Sequence, residues 1–299
     1  MSNKIKKGTV LGFDTAPVIP DMSKAIDPFI GTYTKSKGIY KFRKVDTDTG
    51  NIMVAMCKRI PTALDRTLSV YLYRSWYMFT KDRKEKEVKL SIATILTEIG
   101  LDPEKESNVN NFIDSLAFLR QLVIKGTTPY STYDFNWVAS LEVDAFSKYI
   151  IIQVPEILTR MFAKKKVRQQ RVDVIKISKS KYTQAMWEFL ITNGRSGNTP
   201  MVRFTKESML IRLEIYTKKM DTQKKILSRA LKEIHTITGF AYKYNRKAKG
   251  YELIQEDETP TIDIQPKVEA EEFVPEVVIQ NNADIKDIPT GKDINGNDF

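Results

Sequence analysis

Apolar and polar residues along this chain follow two patterns, one typical of helices and one typical of strands, in a fixed order. Pro61 begins a helical stretch, PTALDRTLSVYLYRSWYMF, and the short strand VKLS follows it. SIATILTEIG and ESNVNNFIDSLAFLRQL then predict two further helices, the first ended by Gly100. Segments rich in β-branched and aromatic residues predict strands up to Gln153, before the helix PEILTRMFAKK. The order is helix, strand, helix, helix and β-hairpin.

The same order returns in the second half of the chain. SKYTQAMWEFLIT is a predicted helix and MVRF a short strand, after which Thr205 is a candidate cap for the helix KESMLIRLEI. A further helix, capped by Asp221 or Thr222, extends to Gly239, and the hairpin FAYKYNRKAKGYELI closes the set. We therefore predict an α+β fold of two tandem winged-helix domains, with an N-terminal extension and a disordered acidic C-terminal tail.

The predicted division of the chain has five parts. They are an N-terminal arm with a β-hairpin in GIYKFRKVDTDTGNIMVAM (1–58), a first winged-helix domain (59–165), a basic linker (166–180), a second winged-helix domain (181–255) and an acidic tail (256–299). The tail repeats Pro, Asp, Glu and Asn with scattered Ile and Val, a composition typical of disordered segments.

Charge is distributed unevenly between these parts. The net charge of the 299 residues is +11, but residues 256–299 contain 12 acidic and 3 basic residues, which leaves +20 on residues 1–255. A basic body indicates a polyanionic partner, with which the acidic tail could compete. The alternative is that the basic residues are spread over all faces of the protein and serve its solubility.

The helix between Asp221 and Gly239 has two opposite faces and gives the strongest functional signal. Its apolar positions are Ile226, Leu227, Ala230, Leu231 and Ile234. Its basic face, spaced at i, i+3, i+4 and i+7, consists of Lys225, Ser228, Arg229 and Lys232, with Lys224 at the edge. The tip of the following hairpin holds Arg246, Lys247 and Lys249. This arrangement suits the major groove of double-stranded DNA, with the wing against neighbouring phosphates. A bidentate guanine contact would fall to Arg229, and phosphate contacts to the lysines.

Two further sets of residues are candidates for DNA contact. Lys179 and Lys181 precede the second domain and either lie in a solvated linker or contact the phosphate backbone. In the first domain, the corresponding helix is predicted to expose Asn110, Asn111, Asp114, Ser115, Phe118 and Gln121. Asn and Gln can bind adenine, whereas Asp114 is unfavourable near phosphate. Phe118 indicates a protein contact, or it is buried by a neighbouring strand. We expect the first domain to bind DNA more weakly or to mediate dimerisation.

The residue types that enzymatic sites need are largely missing. His235 is the only histidine and Cys57 the only cysteine, which excludes a two-histidine metal site, an intramolecular disulfide and a thiolate zinc cluster. Neither a G-x-x-x-x-G-K-[ST] phosphate loop nor a G-x-S-x-G nucleophile motif occurs. We therefore expect no enzymatic activity, no cofactor and no metal.

The sequence also lacks the patterns of a membrane protein. No apolar run approaches the roughly 20 residues that span a bilayer. The N-terminal MSNKIKKG is not followed by the apolar stretch of a signal peptide. We expect a cytoplasmic protein without membrane association.

Four segments together resemble a known family. They are KYIIIQVPEIL, the basic helix SKSKYTQAMWEFL, the helix ILSRALKEIHTITGF and the wing YKYNRKAKGYELI. From about Ser147 to Gln255 the chain is similar to plasmid replication initiators, the iteron-binding Rep proteins built from two winged-helix domains. Residues 60–146 match mainly by element order, and residues 1–58 and 256–299 are not covered.

This resemblance implies theta-type initiation of plasmid replication. The protein would bind repeats at an origin in double-stranded DNA, help to open an adjacent AT-rich duplex, and recruit the host replication initiator and helicase machinery. The resemblance also implies a switch between monomers that bind the repeats and dimers that repress the protein's own promoter, with the first domain as the candidate dimer interface. The alternative function is a transcriptional repressor or a phage replisome organiser with the same winged-helix fold. Repeated sites near an origin, rather than one palindrome, would distinguish the two.

Overall fold

The computed structural model describes residues 15–18, 27–45, 51–79, 86–127, 132–144, 148–164, 168–194 and 199–254. All described residues belong to one compact unit, Met1–Thr259. The predicted disordered tail (256–299) and much of the predicted N-terminal arm lie outside the described residues.

The described ranges contain both strands and helices. The strands are β1 (Thr15–Val18), β2 (Thr34–Ser36), β3 (Ile39–Val45), β4 (Ile52–Cys57), β5 (Glu87–Ser91), β6 (Val123–Thr127), β7 (Thr132–Asn136), β8 (Ser140–Asp144), β9 (Tyr149–Gln153), β10 (Arg168–Arg171), β11 (Arg203–Thr205), β12 (Ala241–Asn245) and β13 (Gly250–Ile254). The helices are α1 (Ala63–Phe79), α2 (Ile92–Glu98), α3 (Glu106–Gln121), α4 (Glu156–Lys164), α5 (Asp173–Ile177), α6 (Lys181–Thr192), α7 (Lys206–Arg212) and α8 (Met220–Thr238).

The first half of the described chain, from α1 to α4, has the predicted order of elements. An antiparallel sheet is formed in the order β5-β9-β8, and α1, α2 and α3 pack beside it. The hydroxyl of Ser91 caps α2 by accepting a hydrogen bond from the backbone N–H of Thr94. After α2, Gly100 adopts the left-handed conformation with φ 77°, as predicted for the end of this helix. Phe112 and Leu116 of α3 are fully buried in the core.

The second half, from α6 to β13, repeats this architecture. Its sheet has the order β11-β13-β12, so in both halves the last strand lies between the other two. The predicted cap of α7 is confirmed, because the hydroxyl of Thr205 accepts a hydrogen bond from the backbone N–H of Ser208 at 3.0 Å. Helix α8 ends at Gly239, whose φ of 81° is left-handed. The α+β fold class with two winged-helix arrangements is thus confirmed.

A five-stranded antiparallel sheet, in the order β2-β3-β4-β6-β7, joins three strands of the N-terminal segment to two strands of the first half. The hairpin predicted in the N-terminal part is confirmed as β3 and β4, with Val45 opposite Ile52. Strand β6 pairs with β4, placing Lys125 opposite Val54. The hairpin β6–β7 that follows α3 therefore extends the N-terminal sheet, and the wing of the first half is the next hairpin, β8–β9.

Residues 168–177, within the range predicted as a linker, are folded. Strand β10 pairs with β1, and α5 buries Ile175. The side-chain amide of Gln184 in α6 donates hydrogen bonds to the carbonyl oxygen of Ile175 at 2.8 Å and to the hydroxyl of Thr67 in α1 at 3.0 Å. The segment between the two halves thus contacts both of them. The predicted domain boundaries themselves stay predictions.

Candidate nucleic-acid interface

Helix α8 is attached to the second half by one side only. Leu227, Ala230 and Ile234 are buried on that side, where α8 packs on α5 and α6. Their helical spacing matches the apolar face predicted from the sequence. The opposite side of the helix is left to solvent.

The start of α8 differs from the prediction. The predicted cap, Asp221 or Thr222, is wrong, because α8 begins at Met220 and the side chain at the preceding cap position makes no capping hydrogen bond. The side-chain amide of Gln223 instead donates to two carbonyl oxygens of the preceding turn, at 2.9 Å each. An amide inside the first turn thus ties the helix to the preceding turn.

The solvent-facing side of α8 is basic, as predicted. Its exposed residues include Lys224, Lys225, Ser228, Arg229 and Lys232. Within the described part of the chain, none of these four cations forms an ion pair. Like charges three or four residues apart destabilise a helix by about 0.2–0.5 kcal/mol per pair. Because repulsion between these cations destabilises the helix, their clustering indicates an anionic partner that neutralises their charge.

A groove runs between the N-terminus of α6 and the basic side of α8. Its volume is about 680 Å³, and its lining residues are Lys179, Ser180, Lys181, Tyr182, Ile226, Arg229, Ala230, Lys232, Glu233 and Thr236. The hydroxyl of Ser180 caps α6 by accepting from the backbone N–H of Thr183 at 3.3 Å. Burial and the neighbouring Lys218 lower the pKa of Lys181. The structure therefore brings Lys179 and Lys181 beside Arg229.

The hairpin β12–β13 is the wing of the second half, as predicted. In its turn, the side-chain oxygen of Asn245 accepts from the backbone N–H of Lys247 at 2.9 Å and of Ala248 at 3.1 Å. This Asx-type turn leaves three cations exposed at the tip, namely Arg246, Lys247 and Lys249. A side chain at Gly250 would place its Cβ 2.5 Å from the carbonyl oxygen of Phe204, so only glycine fits where the wing meets β11.

The sequence interpretation missed one basic residue of the wing. Lys243 is exposed on β12, opposite Glu252 of β13. Strand alternation carries the signal, because Tyr242 and Tyr244 lie on one face of the strand and Lys243 on the other. Tyr242 faces the protein, where its hydroxyl donates to the carbonyl oxygen of Met201 at 2.8 Å.

The third helix of the first half, α3, presents a different surface. Asn110, Asn111, Asp114 and Gln121 are exposed as predicted. Ser115 and Phe118 are buried, at 3% and 5% exposure, so their predicted exposure is wrong. The guanidinium of Arg59 lies 4.1 Å above the ring centroid of Phe118 and binds Asp65 through two hydrogen bonds. Phe118 is therefore part of the core, and it is not a protein contact.

The described residues contain neither a metal-binding cluster nor a membrane-spanning helix. In the ranges that the structure describes, no group of three or more His, Cys, Asp or Glu side chains could hold a metal ion. None of the helices in those ranges combines the length and the apolar character needed to cross a bilayer.

At the level of sequence, neither a protein-family model nor a characterised protein matches this chain. Solved structures do match it. Selenomethionine derivatives of domains 2 and 3 of RctB superpose with a TM-score of 0.53 and 12% identity, covering 78% of this chain and 96% of that chain. A second structure of RctB domains 2–3 gives a TM-score of 0.46 and 9% identity, covering 78% and 95%.

The Pi initiator protein in complex with iteron DNA gives a TM-score of 0.45 and 11% identity, covering 75% of this chain and all of that chain. Identities this low are informative about fold alone. This chain thus shares its fold with domains 2 and 3 of RctB over 78% of its length.

Proposed function

We propose that this protein is a sequence-specific double-stranded DNA-binding protein that initiates theta-type plasmid replication by binding repeats at an origin. The observation that carries the proposal is a set of exposed cations on several elements of the second half. Helix α8, the N-terminus of α6 and the wing β12–β13 all contribute to it. Cations that release counterions from phosphates supply most non-specific DNA affinity, and side chains in the major groove supply sequence preference.

The residues divide into two roles. Arg229 is the candidate for a bidentate guanine contact, with Lys224, Lys225, Ser228 and Lys232 beside it on α8. Phosphate contacts fall to the wing residues Arg246, Lys247 and Lys249 and to Lys179 and Lys181 in the groove. In the first half, Asn110 and Asn111 are candidates for weaker contacts to adenine.

The first half is the candidate for homodimerisation. The five-stranded sheet that it shares with the N-terminal segment ends in β2 and β7, whose outer edges pair with no described strand. A sheet edge with unpaired backbone groups can add a strand from a second copy. In this proposal the dimer represses the promoter of the protein's own gene.

The proposal extends to the protein's partners and setting. A bound initiator would recruit the host replication initiator and helicase machinery in the cytoplasm, and it would open DNA without enzymatic activity, cofactor or metal of its own. ATP hydrolysis by the purified protein would contradict the non-enzymatic part of this proposal.

Selection of bound sequences from random double-stranded DNA tests the proposal most directly. We expect enriched sequences that share one motif, recur as direct repeats in the plasmid origin, and lose affinity steeply as salt rises. Enrichment of a single palindrome would favour the transcriptional repressor. Absence of DNA affinity even at low salt would refute the DNA-binding function altogether.

A further inference from the structure

A buried cluster of four charged side chains joins the two halves, and it involves no residue of the DNA-binding surface. Asp27, Arg66, Glu188 and Arg212 are each at most 8% exposed. The carboxylate of Asp27 accepts from Arg66 at 2.9 and 3.1 Å and from Arg212 at 2.9 Å. Arg66 also donates to Glu188. Two carboxylates and two guanidinium groups thus balance each other's charge.

Electrostatics require these groups to stay together. Burial by itself would raise the pKa of Asp27, but the guanidinium groups of Arg66 and Arg212 outweigh it and lower this pKa. Burial likewise disfavours the charged form of Arg66, and the carboxylates of Asp27 and Glu188 reverse this effect and raise its pKa. Removing one member leaves the others buried with an unbalanced charge, which is strongly destabilising. The cluster therefore favours one arrangement of the segments that carry it.

Those segments are distributed over both halves. Arg66 lies in α1, which packs directly on α3, whereas Glu188 lies in α6, which packs directly on α8. Asp27 lies before the first half, and it links Arg66 to Arg212 in α7 of the second half. The cluster is therefore connected to α3 through α1 and to α8 through α6.

Further contacts of the N-terminal segment strengthen this link. The hydroxyl of Thr32 donates to the carbonyl oxygen of Glu214 at 3.2 Å, and Lys44 lies 3.8 Å from the Glu214 carboxylate. Phe29 packs edge-on against Trp137 of the first half, with ring centroids 5.6 Å apart. The N-terminal segment is therefore anchored on both halves.

We infer that Asp27 is a positioning residue for DNA binding. It fixes the orientation between the halves, so that α3 and α8 meet the duplex together at one spacing. This inference rests on the proposed DNA-binding function. With the orientation fixed, binding of α8 delivers α3 to its part of the site, and with the orientation loosened, the first half is only tethered.

The test compares the full-length protein with Asp27→Asn, an uncharged substitution of nearly the same shape. The affinity of each protein is measured for the selected sequence and for versions with one or two base pairs inserted at its centre. Each insertion rotates one part of the site by about 34° relative to the other. We expect wild type to lose affinity sharply on insertion. Asp27→Asn should bind the original site about tenfold more weakly and lose little more on insertion.

A matched control is Glu156→Gln, which removes an exposed carboxylate paired with Lys86 at 3.3 Å. It should retain the affinity and spacing preference of wild type. If Asp27→Asn does not fold by circular dichroism, Asp27→Asn combined with Arg212→Met replaces it, since the Arg66–Glu188 pair then stays balanced. A folded variant with the wild-type spacing preference would overturn the inference, whereas wild-type protein that binds no DNA would refute the proposed function.

Discussion

The two halves of this protein share one architecture and differ in what their equivalent elements expose. Both have the order helix, strand, helix, helix and hairpin, and both sheets place the last strand in the middle. The third helix of the second half exposes four cations, whereas α3 exposes Asn110, Asn111 and Asp114 and a single cation, Arg120, in its last turn. The wing turn β12–β13 carries Arg246, Lys247 and Lys249, while β8 of the other wing carries Glu142 and Asp144. The topology determines which elements can face DNA, and their exposed residues determine how strongly they bind it.

The halves differ in burial as well. Helix α3 is covered near its C-terminal end, where Phe118 contacts Arg59 and the hairpin β6–β7 joins the N-terminal sheet. The basic side of α8 remains exposed along its whole length. An additional sheet on the first half thus reduces the surface that α3 can present to a duplex. We therefore expect the second half to be the main DNA-binding element.

The largest effect should come from Arg229→Ala in α8. Loss of a bidentate base contact should cost about 1–3 kcal/mol at the selected site and relax base preference at one position. Fluorescence anisotropy with the selected duplex and its single-base variants measures both effects. Asn111→Ala in α3 is the matched change in the first half and should weaken binding much less. If Arg229→Ala lowers only the salt dependence, Arg229 contacts phosphate from the groove and no base.

A smaller and more uniform effect is expected for Lys247→Ala at the tip of the second wing. It should weaken binding to all sequences alike and reduce the salt slope by about one unit, because one phosphate contact is lost. Titrations at several salt concentrations, with specific and random duplexes, measure this. Lys148→Ala at the turn of the first wing is the control. An equal effect of both substitutions would contradict the asymmetry between the halves.

Much of the fold follows from local signals in the sequence. Helix α8 is predictable because Leu227, Ala230 and Ile234 repeat with helical spacing and Gly239 supplies its left-handed end. The wing follows from alternating aromatic residues around a turn. The start of α8 differs from the prediction because the helix begins at Met220 without a side-chain cap, and Gln223 ties it to the preceding turn by donating to two carbonyl oxygens. Residue types alone do not indicate which side chain performs that function.

Contacts between residues far apart in the chain could not be predicted from local sequence patterns. Phe118 has the helical position of a surface residue, yet it is buried, and Arg59 packs over its ring. Asp27 and Arg212 are 185 residues apart in the chain and still share a hydrogen bond. The groove beside α8 likewise requires the N-terminus of α6 to lie next to it. Such contacts depend on how elements pack, which the hydrophobic pattern of each element does not specify.

The smallest expected effect is a gain of binding in the weaker half. Asp114→Lys places a cation on the exposed side of α3, where an acid now opposes phosphate. If α3 approaches the duplex, affinity for random DNA should rise about two- to fourfold, and the salt slope should steepen by nearly one unit. Asp134→Lys on the β6–β7 hairpin changes the net charge equally and separates a local contact from a general charge effect. Equal gains from the two substitutions would mean that α3 does not face DNA. The two halves would then differ in where their third helices lie relative to the duplex, because added charge would not turn α3 into a second DNA-binding helix.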